Sequence, residues 1–324
     1  MKPYSCSIVA AIAGVFLCGC SFFSAAQAQS CSFTATNVAF GTVDVTANAA
    51  VNTTATVSIT CSALLGSPAF KVCVDLGAGS GGATSAANRF MLSGANTLTY
   101  GLFSDAARTI PWGSSLWAGG GANAVLVNFP GLPLLGGHVT ETATVYGQVY
   151  SGQQTVMAGS YLSTFSSTNA EIMWPVSSSN CTGFSGTATT SFNVTATVPT
   201  TCRIATNNLN FGTVGVLAAN MDATTMVAPD CTNGTPYNVG LNGGLSGATD
   251  PTQRKMTNGA AFVLYGLYRD SARSLPFGNT IGTNTLVGTG TGLAQSATVY
   301  GRIAPQATPA PATYTDTIVV TLTY

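Results

Sequence analysis

The chain has 324 residues, enough for two domains that each bury a core. Charged residues make up only 6%, and basic and acidic groups balance at ten each, which excludes the clustered Lys and Arg that a nucleic-acid partner requires. At 46% hydrophobic the chain is also unlike a disordered one, and its short β-branched and aromatic runs punctuated by Gly indicate an all-β protein.

In chain order, Lys2, an apolar run over 8–20 and Ala26-Gln27-Ala28 form a secretory leader with a small-x-small cleavage site, so residues 1–28 are expected to be removed on export. Leu17-Cys18-Gly19-Cys20 partly resembles a lipobox and leaves lipid attachment at Cys20 as the alternative. No other run approaches the roughly 20 apolar residues that span a bilayer. Cys6, Cys18 and Cys20 leave with the leader, and the even count of six that remains in an exported chain points to disulfides.

The rest of the chain repeats. Cys31, Val38-Ala39-Phe40-Gly41-Thr42-Val43 and Cys61 recur as Cys202, Leu209-Asn210-Phe211-Gly212-Thr213-Val214 and Cys231. Tyr100-Gly101-Leu102-Phe103-Ser104-Asp105-Ala106-Ala107-Arg108 recurs as Tyr265-Gly266-Leu267-Tyr268-Arg269-Asp270-Ser271-Ala272-Arg273, and Ala143-Thr144-Val145-Tyr146-Gly147 as Ala297-Thr298-Val299-Tyr300-Gly301. Each copy is far longer than a solenoid repeat, so the units are whole domains. Alternating strands between Gly- or Asn-rich turns make each a β-sandwich. Equivalent cysteines then pair within their copies, Cys31 with Cys61 and Cys202 with Cys231, which leaves Cys73 for Cys181.

Between the copies lies 187–202, TATTSFNVTATVPTTC, in which Phe192, Val194, Ala196 and Val198 alternate with Thr and Asn before Pro199. The pattern predicts one strand with a single buried face over 187–198. The second copy closes on Ile318, Val320, Leu322 and Tyr324, which share one face of a final strand. The first copy continues past its own equivalent, 161–174, into Cys181 and the linking strand. One copy therefore has an extra strand available, and the other lacks one.

The blocks Phe-Gly-Thr-Val after a Cys, Tyr-Gly-Leu-(Phe/Tyr)-x-Asp-x-Ala-Arg, Thr-Val-Tyr-Gly and the ending Tyr314, Asp316, Ile318, Val320, Leu322, Tyr324 resemble the spore coat protein U domain, a family that includes pilins of archaic chaperone-usher pili. The first copy departs from the pattern at Ile172-Met173-Trp174. The resemblance implies two immunoglobulin-like sandwiches in tandem, 29–199 and 200–324, the second lacking its last strand. It further implies a periplasmic chaperone, an outer-membrane usher and an adjacent pilin subunit that donates a strand to the second domain, by strand addition at an open edge. The linking strand is expected to complete the first domain in cis. Only Gln29 and Ser30 separate the expected cleavage site from Cys31, so a donor extension is not expected, and the chain resembles a tip adhesin at the cell surface.

Catalysis is not indicated: the single histidine, His138, has no acidic residue or cysteine placed by motif beside it, and neither metal nor cofactor is expected. Asp105 with Arg108, and Asp270 with Arg273, are expected to be turn-stabilising ion pairs. The sharper feature is length: 31 residues separate Trp112 from Thr144, against 20 between Phe277 and Thr298. A long apolar loop needs a reason. The candidates for contact with an abiotic or host surface are Trp117, Val125, Leu126, Val127, Phe129, Leu132, Leu134 and Leu135, with Leu64, Leu65 and Phe70, and Val156 and Met157, as neighbouring fingers. Burial of Val125 to Phe129 as a core strand is the alternative for that stretch. The function expected is attachment and biofilm formation from a pilus tip; a structural coat or fibre component, and a lectin using Trp112, Trp117 and Trp174, are the alternatives.

Overall fold

The computed structural model describes residues 29–117, 124–176 and 181–324; the expected leader, with Cys20, lies outside the described residues. It is almost wholly β. In the first half, Thr/Val alternation produces two long strands, Val51–Ala63 and His138–Val149, paired antiparallel along their whole length with Val51 opposite Val149 and Ser62 opposite His138. They are central to a large sheet that runs Gln29–Ala35, Val51–Ala63, His138–Val149, Asn96–Phe103, Asn88–Ser93, Gly159–Phe165, Phe192–Val198, Val38–Thr42. A second sheet, in the order Gly186–Thr189, Ala170–Trp174, Phe70–Leu76, Val125–Phe129, packs on it around one core that includes Ile59, Val72, Leu98, Tyr100 and Ile172.

The second half repeats the plan with fewer strands. Its larger sheet runs Cys202–Thr206, Met221–Cys231, Ala297–Ile303, Ala261–Tyr268, Arg254–Asn258, and its smaller one Leu286–Thr289, Pro236–Leu241, Val320–Thr323. Tyr237, Val239, Leu267, Phe277 and Val299 fill a separate core. Cys31 faces Cys61, and Cys202 faces Cys231, across adjacent strands; both pairs are disulfides, as is Cys73 with Cys181.

The duplication extends to buried polar detail. Arg89 donates to the carbonyls of Leu76, Gly77, Ala86 and Trp112, and Arg254, 165 residues later, to those of Leu241, Asn242, Pro251 and Phe277. Burial pulls the Arg89 guanidinium down to about 10, so it stays charged at neutral pH and the four carbonyls replace the water it has lost. Phe40 meets Tyr100 edge-on at 6.2 Å, and Phe211 meets Tyr265 at 6.0 Å.

The expected Asp–Arg ion pairs are not what these residues make. The Asp105 carboxylate accepts from the backbone N–H groups of Thr109 and Ile110, and Asp270 from those of Ser274 and Leu275. Arg108 and Arg273 reach instead to the carbonyls of Gly147 and Gly301, and Arg273 also pairs with Asp222. A short carboxylate closes its own turn over two local N–H donors, which a guanidinium three residues away on the same turn does not displace.

The halves touch beside the linker. Asn233 Nδ2 donates to the Thr155 carbonyl at 2.6 Å, Met157 bridges to Asn233, and Arg203 pairs with Asp44. These contacts gather at the Val51 and Val149 end of the long strands, where Gly152 N also donates to Asn48.

Candidate functional site

Two features set the halves apart. The first is the fate of one groove. In the first half the linking segment supplies two strands: Gly186–Thr189 pairs with Ala170–Trp174, and Phe192–Val198 pairs antiparallel with Gly159–Phe165 and parallel with Val38–Thr42. The single strand expected over 187–198 is corrected, because the segment breaks at Thr190 and Ser191 as it passes from one sheet to the other. Phe192, Val194, Ala196 and Val198 are all buried, and Phe192 stacks on Phe165 at 4.8 Å.

At the equivalent place in the second half lie two adjoining hollows of about 500 and 560 Å³, both lined by Leu209, Phe211, Met256 and Tyr314. Their walls are the counterparts of the strands that hold Phe192–Val198. Among the described residues no strand pairs along 209–213, and 313–319 joins no ladder, meeting a neighbouring strand's backbone in a single bridge, Thr315 to Thr257. The final strand expected to run through Ile318 to Tyr324 is therefore corrected to Val320–Thr323, paired with Pro236–Leu241; Ile318 and Tyr324 fall outside it. A segment with a partner on one side only forms a shorter ladder. Side chains record the same difference: Val43 and Val45 are buried, but Val214 and Val216 are 41% and 67% exposed.

The second feature is a two-stranded ribbon that the second half lacks. Leu65–Ser67 pairs antiparallel with Leu132–Leu134, placing Leu65 opposite Leu134, and Leu135 N donates to the Leu64 carbonyl at 2.9 Å. The strands approach closely because Gly66 and Gly131 carry no Cβ; one at either position would stand 2.8 Å from the facing carbonyl of Leu132 or Ser67. Leu64, Leu65, Leu134 and Leu135 stand out in water, Leu135 at 90% exposure. The ribbon rises from the Ser62 and His138 end of the long strands. Val51–Ala63 has 13 residues, so roughly 40 Å separates the ribbon from the junction with the second half.

The other candidates divide. Val125, Leu126, Val127 and Phe129 belong to a strand of the second sheet, with Val127 and Phe129 buried, which corrects their grouping as a surface loop. Phe70 stacks on Phe129 at 5.0 Å beneath the ribbon, and Leu132 is buried at its root. These are the hydrophobic residues of a strand facing Phe70–Leu76, a pairing that loop length alone does not reveal. Val156 packs against the first core and Met157 against Asn233, at the junction end, so both are removed from the ribbon. Trp117 lies over the Arg89 guanidinium at 5.7 Å, while Trp112 and Trp174 are buried. The three tryptophans do not form one stacking platform.

Asp75 is a site that sequence reasoning missed. Its Oδ1 accepts from Ser115 N, Oδ2 has no hydrogen-bond partner among the described residues, and the carboxylate lies beside the Cys73–Cys181 disulfide. With both sulfurs bonded to each other, the group retains one carboxylate as a ligand, too few for a metal. Burial raises the Asp75 carboxyl above the ordinary aspartate range, against hydrogen bonds from Ser115 and Ser114. The folded state thus holds this proton more tightly than the unfolded state. Its contribution is most favourable below about pH 4 and is lost as pH rises through the raised value. Asp75→Asn should therefore melt a few degrees higher than wild type at pH 7, with the gap closing toward pH 4; equal melting at both pH values in calorimetry would contradict the burial argument.

Comparison with known proteins agrees with this architecture. The chain is 34% identical over 155 residues to Protein U of Myxococcus xanthus, 43% of this chain and 86% of that protein. It is similar in fold to a chain of the CsuC–CsuE chaperone-tip adhesion subunit pre-assembly complex from the archaic chaperone-usher Csu pili of Acinetobacter baumannii. That match covers 91% of this chain and 100% of the other, with a TM-score of 0.50 and 16% identity. The CupB6 tip adhesin of Pseudomonas aeruginosa aligns over 90% of this chain and 93% of its own at a TM-score of 0.35 and 10% identity. A model of the Spore Coat Protein U domain matches residues 19–168 and again 188–321. Matched over most of both halves, the chain belongs to the Spore Coat Protein U domain family.

Proposed function

We propose that the chain is an exported, two-domain tip adhesin of a chaperone-usher fibre. Its first domain, 29–199, is completed in cis by the linking segment and carries the adhesive ribbon. Its second, 200–324, accepts a strand from the adjacent pilin subunit after delivery by a periplasmic chaperone and an outer-membrane usher. The observation that carries this reading is one groove in two conditions, filled by Phe192–Val198 in the first half and hollow in the second. The similar Acinetobacter structure, a chaperone-tip adhesion subunit pre-assembly complex, supports the partner class.

The ribbon supports adhesion by desolvation. Four exposed leucines on a pinned two-stranded stalk, at the pole remote from the second domain, form an apolar patch of the kind that marks contact sites. The partner is an apolar abiotic or host surface, and biofilm formation is its consequence. Immunogold labelling of the first domain on intact fibres tests the tip position. One label at the fibre end is expected; labels spaced along the shaft would favour a structural subunit instead.

A further inference from the structure

The first half holds a disulfide that the second does not, Cys73 with Cys181, and a buried carboxylate beside it. Cys73 and Asp75 are two apart on Phe70–Leu76, so their side chains leave the same face of that strand. One Asp75 oxygen and both sulfurs lie within 4.8 Å of one another, and Asp75 is fully buried. A single water, or a small turn of a freed thiol, closes that separation to hydrogen-bond reach. The other two disulfides have no carboxylate so placed among the described residues. At the 165-residue offset the counterparts of Cys73 and Asp75 are Asn238 and Gly240. Where the thiol is missing, the carboxylate is missing too.

In the finished fold this carboxylate is a cost. It is sealed from water with Oδ2 unpaired among the described residues, and Asn has the same shape. The neighbouring sulfur chemistry gives it a use at an earlier stage. Cys73 is buried in an apolar cluster with Met173 and Val176 and with Leu126 packed against it, surroundings that disfavour the thiolate on which disulfide formation depends. It is also held in register between Met173 and Leu126 on the strands at either side, whereas Cys181 lies outside the strands. Cys181 is therefore the sulfur free to meet an oxidant, and Cys73 the one that attacks from within the fold.

We infer that Asp75 is the general base that closes the Cys73–Cys181 bond, taking the proton from the Cys73 thiol. The co-reactant is a disulfide oxidant of the thiol-exchange class. The Cys181 thiolate first attacks it, forming a mixed disulfide and releasing one thiolate. The Cys73 proton then passes to Asp75 while the sulfur's electron pair forms the bond to the Cys181 sulfur. The bond from Cys181 to the oxidant breaks, and the second oxidant sulfur leaves with its electron pair. Both released thiolates take up protons, one of them the proton that Asp75 carried, so two electrons and two protons have passed to the oxidant and the carboxylate is restored. Burial raises the Asp75 carboxyl above the ordinary aspartate range, which makes the carboxylate a stronger base. The groups around it are Glu171 directly across on Ala170–Trp174, Ser114 and Ser115 after Trp112, exposed Lys71 on its own strand, and Arg89 on the carbonyl of the adjacent Leu76. Residues 118–123 and 177–180 include no ionisable side chain.

The test refolds the reduced full-length chain in glutathione disulfide at pH 6, 7 and 8, traps thiols by alkylation at intervals, and follows each disulfide and the Cys181–glutathione adduct by peptide mass. In wild type the adduct should decay quickly, with a rate that rises less than about tenfold in all from pH 6 to pH 8, since the base is already ionised over most of that range. In Asp75→Asn the adduct should accumulate and decay roughly a hundredfold more slowly at pH 7, as loss of a general base implies. Its rate should rise about tenfold per pH unit, following the thiolate fraction of Cys73. Asp75→Glu keeps a carboxylate and should decay faster than Asp75→Asn. Cys31–Cys61 and Cys202–Cys231 should form at the wild-type rate in both variants. Adduct decay in Asp75→Asn within twofold of wild type, a pH profile as shallow as wild type, or Asp75→Glu no faster than Asp75→Asn would overturn the inference. Equal slowing of all three disulfides would overturn it as well, because Asp75 would then act on folding and not on the thiol.

Discussion

Appending the segment 186–198 to Tyr324 through a short turn should convert two-step melting into a single, later transition. In the first half this segment buries Phe192, Val194, Ala196 and Val198 and supplies ladder partners to Gly159–Phe165, Val38–Thr42 and Ala170–Trp174. The matching walls in the second half are 209–213 and 313–323, and their hollows lie open to water. Burying three large apolar side chains is worth on the order of 5 kcal/mol, and main-chain pairing adds to it. For a domain of this size that corresponds to a rise of about 15 °C or more. In calorimetry the unmodified chain should show an early transition for its second half, removed by the fusion. A shift of only a few degrees would mean that the groove is not a strand acceptor. The fused strand should enter antiparallel to 313–319 and parallel to 209–213, as in the first half.

The second large effect concerns the ribbon. Replacing Leu64, Leu65, Leu134 and Leu135 together by Ser should abolish attachment to apolar surfaces while leaving the first domain folded. Fully desolvating a leucine is worth about 1.5–3 kcal/mol. Four such residues, each already more than half exposed, would forfeit on the order of 5 kcal/mol of adhesion, which is a factor of several thousand. Since those side chains contribute little to the core, melting should change by no more than a few degrees. Leu132 is not a useful target, because it is buried and its loss would cost about 2–4 kcal/mol of stability. Leu245→Ser with Leu293→Ser, exposed positions in the second half, serves as the control and should attach as wild type does. Unchanged attachment of the fourfold variant, on fibres of normal number, would exclude the ribbon as the adhesive element.

Some of this was legible in the chain and some was not, for separable reasons. The all-β class and the tandem arrangement follow from alternation and from repeated blocks, which are local signals. The alternation of Phe192, Val194, Ala196 and Val198 is equally local, but the break at Thr190 and Ser191 depends on a sheet-to-sheet crossing that no residue there announces. Val125 to Phe129 could be a loop or a strand by composition. Its pairing with Phe70–Leu76 joins residues some 55 apart, beyond what periodicity reads. For the same reason Leu64 and Leu65 entered as a finger separate from Leu134 and Leu135, although they share one ribbon. Arg89 and Arg254 were findable, since they keep the 165-residue offset of Tyr100 and Tyr265; only their burial was hidden. Asp75 had no such marker, because its counterpart at that offset is Gly240.

The central claim is an asymmetry between like domains, one closed by its own chain and one open to a partner. Amide hydrogen exchange measures it most directly, because protection reports which backbone groups are paired. In the unmodified chain, Val38–Thr42 and Gly159–Phe165 should exchange slowly while 209–213 and 313–319 exchange fast. With 186–198 appended after Tyr324, the second pair of segments should become as protected as the first. Equal protection of both pairs in the unmodified chain, or no gain in protection on adding the strand, would contradict the account.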